Sequence, residues 1–550
     1  MKKLISILLC AVLFLLTLLP VSAVDYSNPS REVPVVLIGG DGDPLYDKDG
    51  NKVFTATNLT TVFDGTDAKS AVESVANVLQ PMLLEGVLFN KWDNYYASLE
   101  AEIGALTESF RLDENGNASN GTSISPSRYT EMENALSVDK KLKKGYYAYN
   151  DYHFWYDWRL DPLEIADQLA AYIDSVLAVT GAPKVAIISR CVGTNVAMAY
   201  VAKYGTDKVY GFGIDGTTTN GGEFLSDAIS GKFKLDGPAL ERFLTDVNML
   251  GMFDVSEFAM ASIDLLIKSG ALNAADKLLR ATIYDKIVQG ATSAIALGTV
   301  FTMPCYWGFV CKEDYETAKN YVFGPEGGEK RQQYAGLIAK LDSYHKTVRL
   351  HLSDLFVQMK NDGANVAIIA KYGFQIVPIC ESCELISDQY ASVKRASFGA
   401  VTGTVYETLS DEYIAGRQAE GLGKYISPDK NVDASTCLFP DYTWFTKGVR
   451  HGEWTDVENQ ILYNVLTANR QLTVDDLPYT QFIVCSADGE TAAPMTEENC
   501  STEYWEADRE TDYPSNVFVK LAQFFRSYRT WLKLAFKWLR TKLAQSNAEA

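Results

Sequence analysis

The residues with the clearest chemical potential form a short motif, Ser189-x-Cys191-x-Gly193. Small residues two positions before and two positions after a central residue are the pattern of the G-x-S-x-G turn. In that turn a nucleophile is carried on a tight bend between a strand and a helix. The run 184–188 has the pattern of a buried strand, and 194–204 has that of a helix. The motif therefore predicts that Cys191 is a nucleophile, with an inert buried cysteine as the alternative.

The surroundings of Cys191 favour an activated thiol. A thiol at a helix N-terminus and next to Arg190 is expected to have a lowered pKa, and hence a larger thiolate fraction. The backbone N–H of the following residue, Val192, would face the oxyanion that forms when a thiolate attacks a carbonyl group. These features suit nucleophilic attack on a carbonyl compound.

A nucleophile of this kind needs a base, and the base needs an acid that orients it, in the chain order nucleophile, acid, histidine. Of the four histidines, His345, His351 and His451 follow Cys191, whereas His153 precedes it. His345 and His351 lie in a helical block, where a solvated or packing role is expected. His451 comes where an aromatic strand gives way to a glycine-containing loop, which suits a loop-borne base.

The best candidate for the orienting acid is Asp388. It follows two apolar runs, 365–370 and 374–378, that have the pattern of strands. The alternative is an aspartate that caps a helix or forms a turn. Asp215, which follows the predicted strand 209–214, is the reserve candidate.

The order of the elements around these residues predicts the fold class. Strand and helix patterns alternate along the first part of the chain, which is typical of an α/β protein with a mostly parallel sheet and helices on both faces. From residue 221 to residue 362 the pattern turns helical and loop-like, and strands resume at residue 365. We therefore expect a core formed by 24–220 and 363–514, with 221–362 inserted as a large helical cap.

The N-terminus has the composition of a signal peptide. Lys2 and Lys3 precede the apolar run 4–19, and small residues end the segment at Ala23. Residues 1–23 are therefore predicted to be cleaved, which makes the mature protein secreted or associated with the cell surface. An uncleaved membrane anchor is the alternative.

Export would place the remaining cysteines in an oxidising compartment, where most are expected to pair. Plausible local bridges join Cys305 to Cys311 and Cys485 to Cys500. The C-x-x-C pair at 380–383 has no histidine nearby in sequence, which argues against a zinc site. No metal or other cofactor is implied.

Charge is distributed very unevenly. The chain has a net charge of −20, yet the segment 515–545 contains seven basic residues and no acidic one. An acidic body repels nucleic acid, so we exclude a DNA or RNA partner. In 515–545 apolar and aromatic residues recur at helical spacing between the basic ones, which predicts a basic amphipathic helix. Such a helix can lie in the interface of an anionic membrane; the alternative is a helix docked on its own acidic body.

Several of these segments together resemble one enzyme family. The opening 34–40, Pro-Val-Val-Leu-Ile-Gly-Gly, is similar to the first strand and oxyanion loop of the lecithin:cholesterol acyltransferase and related lipase branch of the α/β-hydrolases. The segment Asp157-Trp158-Arg159 and the later Pro304-x-x-Trp307 resemble two further motifs of that branch. The likeness covers about 33–215 and 365–455. The chain departs from it at Cys191, where serine is usual, and at the first small residue of the turn.

The resemblance implies an α/β-hydrolase fold and a division of roles. Cys191 would attack an acyl carbonyl, His451 would move the proton, and Asp388 would orient the histidine. Backbone N–H groups of Val192 and of Gly40 or Asp41 would stabilise the oxyanion. The implied substrates are small-molecule or lipid acyl esters or thioesters. An inactive surface binding protein on the same fold and a cysteine amidase or peptidase are the alternatives.

Overall fold

The structure, a computed structural model, describes most of the chain beyond the N-terminus. The predicted signal peptide lies outside the described residues. The described residues are 33–54, 77–137, 152–234, 261, 264, 265, 268, 285–500 and 517–549, without 79, 88, 299, 379, 406 and 487–490.

The centre of the fold is a single eight-stranded sheet among the described residues. Its strands are β1 Val35–Ile38, β2 Tyr152–Phe154, β3 Val185–Cys191, β4 Val209–Thr217, β5 Asn365–Tyr372, β6 Thr443–Lys447, β7 Phe482–Cys485 and β8 Ala492–Pro494. They lie in the order β8-β7-β6-β5-β4-β3-β1-β2. Every neighbouring pair is parallel except β7 and β8. This confirms the predicted α/β class with a mostly parallel sheet.

The central strands are rich in apolar residues because both faces of the sheet are covered there. In β3, Val185 and Ile187 contribute to the core on one face, and Ala186 and Ile188 contribute to the core on the other. All four side chains are fully buried. Alternation of side chains along a strand therefore supplies two separate cores from one continuous apolar run.

Helices cover the sheet and extend beyond it. Their bounds are α1 Asp93–Thr107, α2 Pro126–Ser137, α3 Pro162–Thr180, α4 Gly193–Tyr204, α5 Glu223–Ser230, α6 Asp285–Gly298, α7 Tyr315–Phe323, α8 Glu329–Gln333, α9 Ala335–Thr347, α10 Leu352–Asn361, α11 Val393–Ala396, α12 Asp411–Ala419, α13 Asp456–Thr467 and α14 Val517–Glu549. Helix α3 shows why the bounds fall where they do. Asp161 accepts a hydrogen bond from the backbone N–H of Leu163, Pro162 occupies the first turn, and Gly181 ends the helix at φ 69°.

The short elements complete the description. A π-helix spans Met82–Val87, and 3₁₀ turns span Val300–Thr302, Pro304–Phe309, Lys312–Asp314, Arg349–His351, Glu381–Glu384, Gly423–Tyr425, Ala434–Thr436 and Pro440–Tyr442. Small strands outside the main sheet are Leu45–Tyr46, Lys52–Phe54, Ser123–Ile124, Phe374–Gln375, Ile386–Ser387, Val401–Thr402 and Val432–Asp433.

Helix α13 packs very closely on β4, and two glycines permit this. A Cβ added at Gly211 would lie 2.4 Å from the carbonyl oxygen of Leu466, and one at Gly213 would lie 2.6 Å from a methyl group of the same leucine. Neither distance is compatible with a side chain. The close approach fixes α13 against the sheet directly after the loop that carries His451.

The segment between β4 and β5, predicted as a helical cap, is helical in its described part and has two roles. Its last helix, α10, packs on the sheet, with the ring of Phe356 5.5 Å from that of Phe212. Its 3₁₀ turn 304–309 instead reaches the end of the sheet, where the ring of Tyr306 lies 5.6 Å from that of Trp158. This segment therefore contributes both to the core and to the surroundings of Cys191.

The segment Asp157-Trp158-Arg159 is a buried anchor. The guanidinium of Arg159 is fully buried and donates to both carboxylate oxygens of Asp157, at 2.9 and 2.5 Å, and to the backbone carbonyls of Phe110 and Thr122. The indole N–H of Trp158 donates to the carbonyl of Asp43. A buried charge with this many partners fixes the loops that precede α3.

The prediction of two local disulfides is wrong in this structure. Cys305, Cys311, Cys485 and Cys500 are all free thiols. The Cys305 thiol lies 3.8 Å from the carbonyl of Val192, whereas Cys311 packs against Gly221. Short sequence separation therefore does not bring these side chains together, because each is directed to a different neighbour.

Candidate functional site

Cys191 ends β3 in a conformation that side chains rarely adopt. Its φ is +48°, in the left-handed region that costs a residue with a Cβ about 1–2 kcal/mol. Gly193 is required at the same bend, since an added Cβ would lie 2.3 Å from the carbonyl oxygen of Gly39 and 2.6 Å from that of Ile38. The motif thus forms a sharp strand-to-helix turn, packed against the end of β1, with Cys191 at its tip. Strain of this kind is typical of functional sites.

The glycine-rich loop after β1 lies directly on the cysteine. A Cβ added at Gly40 would lie 2.8 Å from the Cβ of Cys191 and 3.3 Å from its sulfur. The backbone N–H of Val192 interacts with the thiol. Within the described part of the chain, the N–H groups of Gly40 and Asp41 donate to no other residue. One backbone donor, Val192, therefore lies at the sulfur, and the backbone of Gly40 approaches it closely, as an oxyanion site would need.

His451 and Asp388 meet at this turn. The Nδ1 atom of His451 lies 2.7 Å from Oδ2 of Asp388, and both residues are buried. The other carboxylate oxygen accepts hydrogen bonds from the backbone N–H groups of Tyr390 and Ala391. Because the carboxylate is held by its own loop, it fixes the orientation of the ring rather than following it. The structure therefore pairs the two residues that the sequence singled out as acid and base.

The second ring nitrogen of His451 is directed at the cysteine. Nε2 is buried, and its interaction with the Cys191 thiol falls short of strict hydrogen-bond geometry. Catalytic hydrogen bonds are often long in the absence of substrate. The order sulfur, imidazole, carboxylate is thus present in space.

Titration of the pair is set by burial and by neighbouring charges. Burial raises the pKa of the Cys191 thiol; His451 acts against the rise, and the carboxylate of Asp41 adds to it. Burial opposes a charged ring at His451, but Asp388 and Cys191 outweigh it and raise the pKa of His451 well above its usual value. Burial therefore favours the neutral form of the thiol, whereas the Asp388 carboxylate favours the charged form of the ring.

The prediction of a lowered pKa for the thiol is wrong, because burial raises it, although the N–H of Val192 at the helix N-terminus acts in the predicted direction. Arg190 is directed away from Cys191: its Nε lies 3.2 Å from the carboxylate of Asp215, and its guanidinium stacks over the ring of Trp454. Consecutive side chains of a strand project to opposite faces, so a cation next in sequence is not next in space. Burial decides the direction of the shift instead.

Asp215, the reserve acid, has a different partner from the one expected. It is fully buried and pairs with Arg190 and, at 3.1 Å, with the ammonium group of Lys371. The same ammonium lies 3.6 Å from Glu458 on α13 and over the ring of Trp454. These residues form a buried ion-pair cluster under the loop of His451, and Asp215 is not the group that orients the histidine.

Three tyrosines close around the triad, and sequence reasoning missed them. The hydroxyl of Tyr306 donates to Oδ2 of Asp41, and that of Tyr156 donates to the carbonyl of Gly39 at 2.7 Å. The ring of Tyr390 lies 5.0 Å from that of His451. Tyr306 lies inside the Pro304-x-x-Trp307 motif, and Tyr390 follows Asp388 by two positions. Their closeness in sequence to these candidate residues could have indicated that they belong to the site.

Two of the remaining histidines, His345 and His153, stack on aromatic rings. His345 stacks on Tyr315 with ring centroids 3.9 Å apart, and burial lowers the pKa of His345 to about 4. This confirms a packing role for it. Burial also lowers the pKa of His153 to about 4, next to Trp155 in the edge strand β2. Within the described residues, no group of three or more His, Cys, Asp or Glu side chains is placed to hold a metal ion.

Comparisons with known proteins add little to this geometry. No protein-family model matches the chain, and no curated protein matches it. Among solved structures, a chain from "The crystal structure of Tle4-Tli4 complex" is similar, with 13% identity over 62% of this chain and 75% of that chain, at a TM-score of 0.23. A TM-score this low carries no argument about fold or function, so function is inferred from the site itself.

Proposed function

We propose that this chain is a secreted enzyme of the α/β-hydrolase fold that transfers or hydrolyses acyl groups through Cys191, His451 and Asp388. One observation carries the proposal. A cysteine at φ +48° stands at the tip of a strand-to-helix turn, with a histidine beside it that is held by a buried aspartate at 2.7 Å. A strained bend, a base and an orienting acid together are more than packing requires.

In the first half-reaction the thiol proton leaves as the carbonyl is attacked. Transfer of the thiol proton of Cys191 to Nε2 of a neutral His451 gives a thiolate beside an imidazolium. The thiolate sulfur bonds to the carbonyl carbon, and the carbonyl electron pair moves onto oxygen, where the N–H groups of Val192 and of Gly40 or Asp41 donate to it. The oxyanion then collapses, the ester C–O bond breaks, and Nε2 of His451 gives its proton to the leaving alkoxide.

In the second half-reaction the thioester is resolved. His451, now neutral, takes a proton from water or from an acceptor alcohol, whose oxygen attacks the thioester carbonyl. The sulfur leaves as thiolate and the acid or the new ester is released. Asp388 holds the imidazole in one orientation through both steps and favours its charged form.

An apolar acyl group is the substrate that the surroundings of Cys191 favour. Trp158, Tyr306 and Phe309 are buried in the same apolar cluster as Cys191 and form a row of rings, with neighbouring centroids 5.6 and 5.5 Å apart. Aromatic walls bury apolar chains well and leave few groups to satisfy a polar one. Lipid esters are therefore the first class to test.

A second candidate is a binding protein that keeps this fold without catalysis. Burial and the neighbouring Asp41 raise the pKa of the thiol, so only a small fraction is thiolate at neutral pH. A carboxylate near the sulfur also opposes formation of an oxyanion there. These two facts set a clear alternative outcome for the experiment below.

The test is intact-mass analysis after incubation with a p-nitrophenyl acyl ester and, separately, with iodoacetamide. We expect one acyl group per chain, attached at Cys191, lost in Cys191→Ala and formed more slowly in His451→Ala. Cys500→Ser is the matched control, because Cys500 is a partly exposed thiol far along the chain that should not affect acylation. A wild-type protein that is folded but never acylated at any pH would support the binding protein instead.

A further inference from the structure

The C-terminal helix α14 presents three different sides, and only one of them faces the protein. It spans 33 residues, or about 50 Å. On the inner side Ser527 is buried and its hydroxyl donates to Asp264 at 2.6 Å. Phe524, Trp531 and Leu534, at helical spacing from it, are partly buried. This side accounts for the attachment of the helix to the body of the chain.

A second side is apolar and exposed. Leu521, Phe525, Tyr528 and Phe536 keep 47, 61, 42 and 65% of their surface accessible. Their spacing places them along one strip of the helix, next to the inner side rather than on it. A strip of exposed aromatic and aliphatic side chains is unfavourable in water, and such patches mark interaction sites.

The third side is basic. Arg526, Arg529, Lys533 and Arg540 recur at helical spacing and are all exposed, on the flank of the apolar strip away from the body. These four cations are therefore directed outward, although the rest of the chain is strongly acidic. Attraction to the acidic body does not explain this arrangement, because the side that contacts the body is not the basic one.

We propose that α14 docks this protein flat on an anionic lipid surface, with the apolar strip among the acyl chains and the basic side on the headgroups. The pairing of an exposed apolar strip with an adjacent row of cations fits an interface that is itself apolar below and negatively charged above. Among the described helices none is both long and apolar enough to cross a membrane. This inference is independent of the chemistry at Cys191.

The experiment is co-sedimentation of the processed protein with vesicles of phosphatidylcholine alone or with 30% phosphatidylglycerol. Processing is verified by mass, so that the apolar run 4–19 cannot contribute. We expect binding to the anionic vesicles, little binding to the neutral ones, and weaker binding as salt is raised. Replacing Arg526, Arg529 and Lys533 by Gln should weaken binding on the order of 100-fold, at about fivefold per charge.

Matched variants separate a local surface from net charge and general stickiness. Lys312→Gln, Lys346→Gln and Lys394→Gln together remove the same charge from exposed sites elsewhere and should leave binding unchanged. Phe525→Ser with Tyr528→Ser should weaken binding about tenfold or more, whereas Leu350→Ser, at an exposed leucine outside α14, should not. All of these sites are exposed, so the variants should fold.

Three results would overturn the proposal. One is a wild-type protein that does not bind anionic vesicles. Another is equal binding by the two sets of Gln variants, which would leave only non-specific charge. The third is an oligomer in light scattering that becomes a monomer when Phe525 and Tyr528 are replaced, without vesicle binding, which would assign the strip to a second copy of the chain.

Discussion

Asp388 and His451 are joined twice, although 63 residues separate them in sequence. The carboxylate of Asp388 holds Nδ1 of the ring at 2.7 Å, and its backbone carbonyl accepts the N–H of His451 at 3.0 Å. Main chain and side chain therefore fix the same contact. The ring can turn only by breaking a buried hydrogen bond, so Nε2 stays directed at Cys191.

Replacing Asp388 by Asn should leave the fold in place and remove most of the activity. The amide oxygen can still accept from the backbone N–H groups of Tyr390 and Ala391, but its NH₂ group favours the wrong tautomer of His451. We expect kcat/KM for a p-nitrophenyl ester to fall on the order of 10³-fold or more, with an unchanged circular dichroism spectrum. Activity within a factor of about two of wild type would rule out Asp388 as the orienting acid.

The rate of thiol alkylation should keep rising into the alkaline range. The pKa of Cys191 is raised by burial, and only the thiolate reacts, so the reactive fraction grows as pH rises through and beyond the ordinary thiol value of about 8.5. In His451→Ala the positive ring that favours the thiolate is lost, and the profile should move to still higher pH. Iodoacetamide rates at Cys191 between pH 6 and pH 10 give both curves. A plateau already reached below pH 7 would contradict this prediction.

Asp41 should restrain the nucleophile. Its carboxylate adds to the rise in the pKa of Cys191, so Asp41→Asn should lower that pKa and speed alkylation at pH 7.5 by about two- to tenfold. Asp47→Asn is the control, because Asp47 is an exposed carboxylate in the same loop region and can keep its turn hydrogen bonds as asparagine. Equal rates in the two variants would mean that the charge of Asp41 is screened from the sulfur.

Two neighbouring glycines should respond differently to the same substitution. In Gly40→Ala the new methyl group would lie 2.8 Å from the Cβ of Cys191, so the loop or the cysteine must move, whereas Gly39→Ala meets nothing within 4 Å. A displacement of about 1 Å at a reacting centre can cost about 100-fold in rate. We expect that loss in acylation for Gly40→Ala and near-normal acylation for Gly39→Ala. Similar rates in both would place the loop away from the reacting sulfur.

The buried ion-pair cluster should matter for stability more than its size suggests. Lys371→Met removes the cation between Asp215 and Glu458 and leaves two buried carboxylates with Arg190 alone. We expect the free energy of unfolding to fall by about 3–5 kcal/mol, measured by urea titration. Lys394→Met, at an exposed lysine, should change it by less than about 0.5 kcal/mol. A small loss for Lys371→Met would show that water or Arg190 compensates.

Several structural elements can be predicted from residues that are adjacent in the sequence. Helix α3 spans Pro162–Thr180, and the residues that set these bounds, the cap Asp161, Pro162 and Gly181, are all adjacent to its ends in the sequence. The bend at Cys191 was likewise predicted from local sequence, because a tight turn requires small residues on both sides of its central residue. The choice of His451 and Asp388 followed from chain order, and the structure brings the two together.

The ion-pair partners of the charged residues could not be predicted from local sequence in the same way. Arg190 is adjacent to Cys191 in sequence, and yet it pairs with Asp215 on the other face of the sheet. The two expected disulfides are absent for a related reason, because a separation of five or fourteen intervening residues does not decide which way a thiol is directed. The direction of a side chain depends on which face of its strand or helix it occupies and on the residues that pack against that face.

The sequence by itself thus determined the alternation of strands and helices, the bend at Cys191 and the choice of Asp388 and His451 as candidate acid and base, all of which depend on residue type and order. Only the tertiary structure decided the directions in which the pKa values of Cys191 and His451 are shifted, and which side chains surround these two residues. The pKa of a thiol depends on its burial and on charges within a few ångströms, and these come from distant segments. Tyr306, which donates to Asp41 from 265 residues away, is one such contribution. Contacts of that range have no local pattern from which they could be predicted.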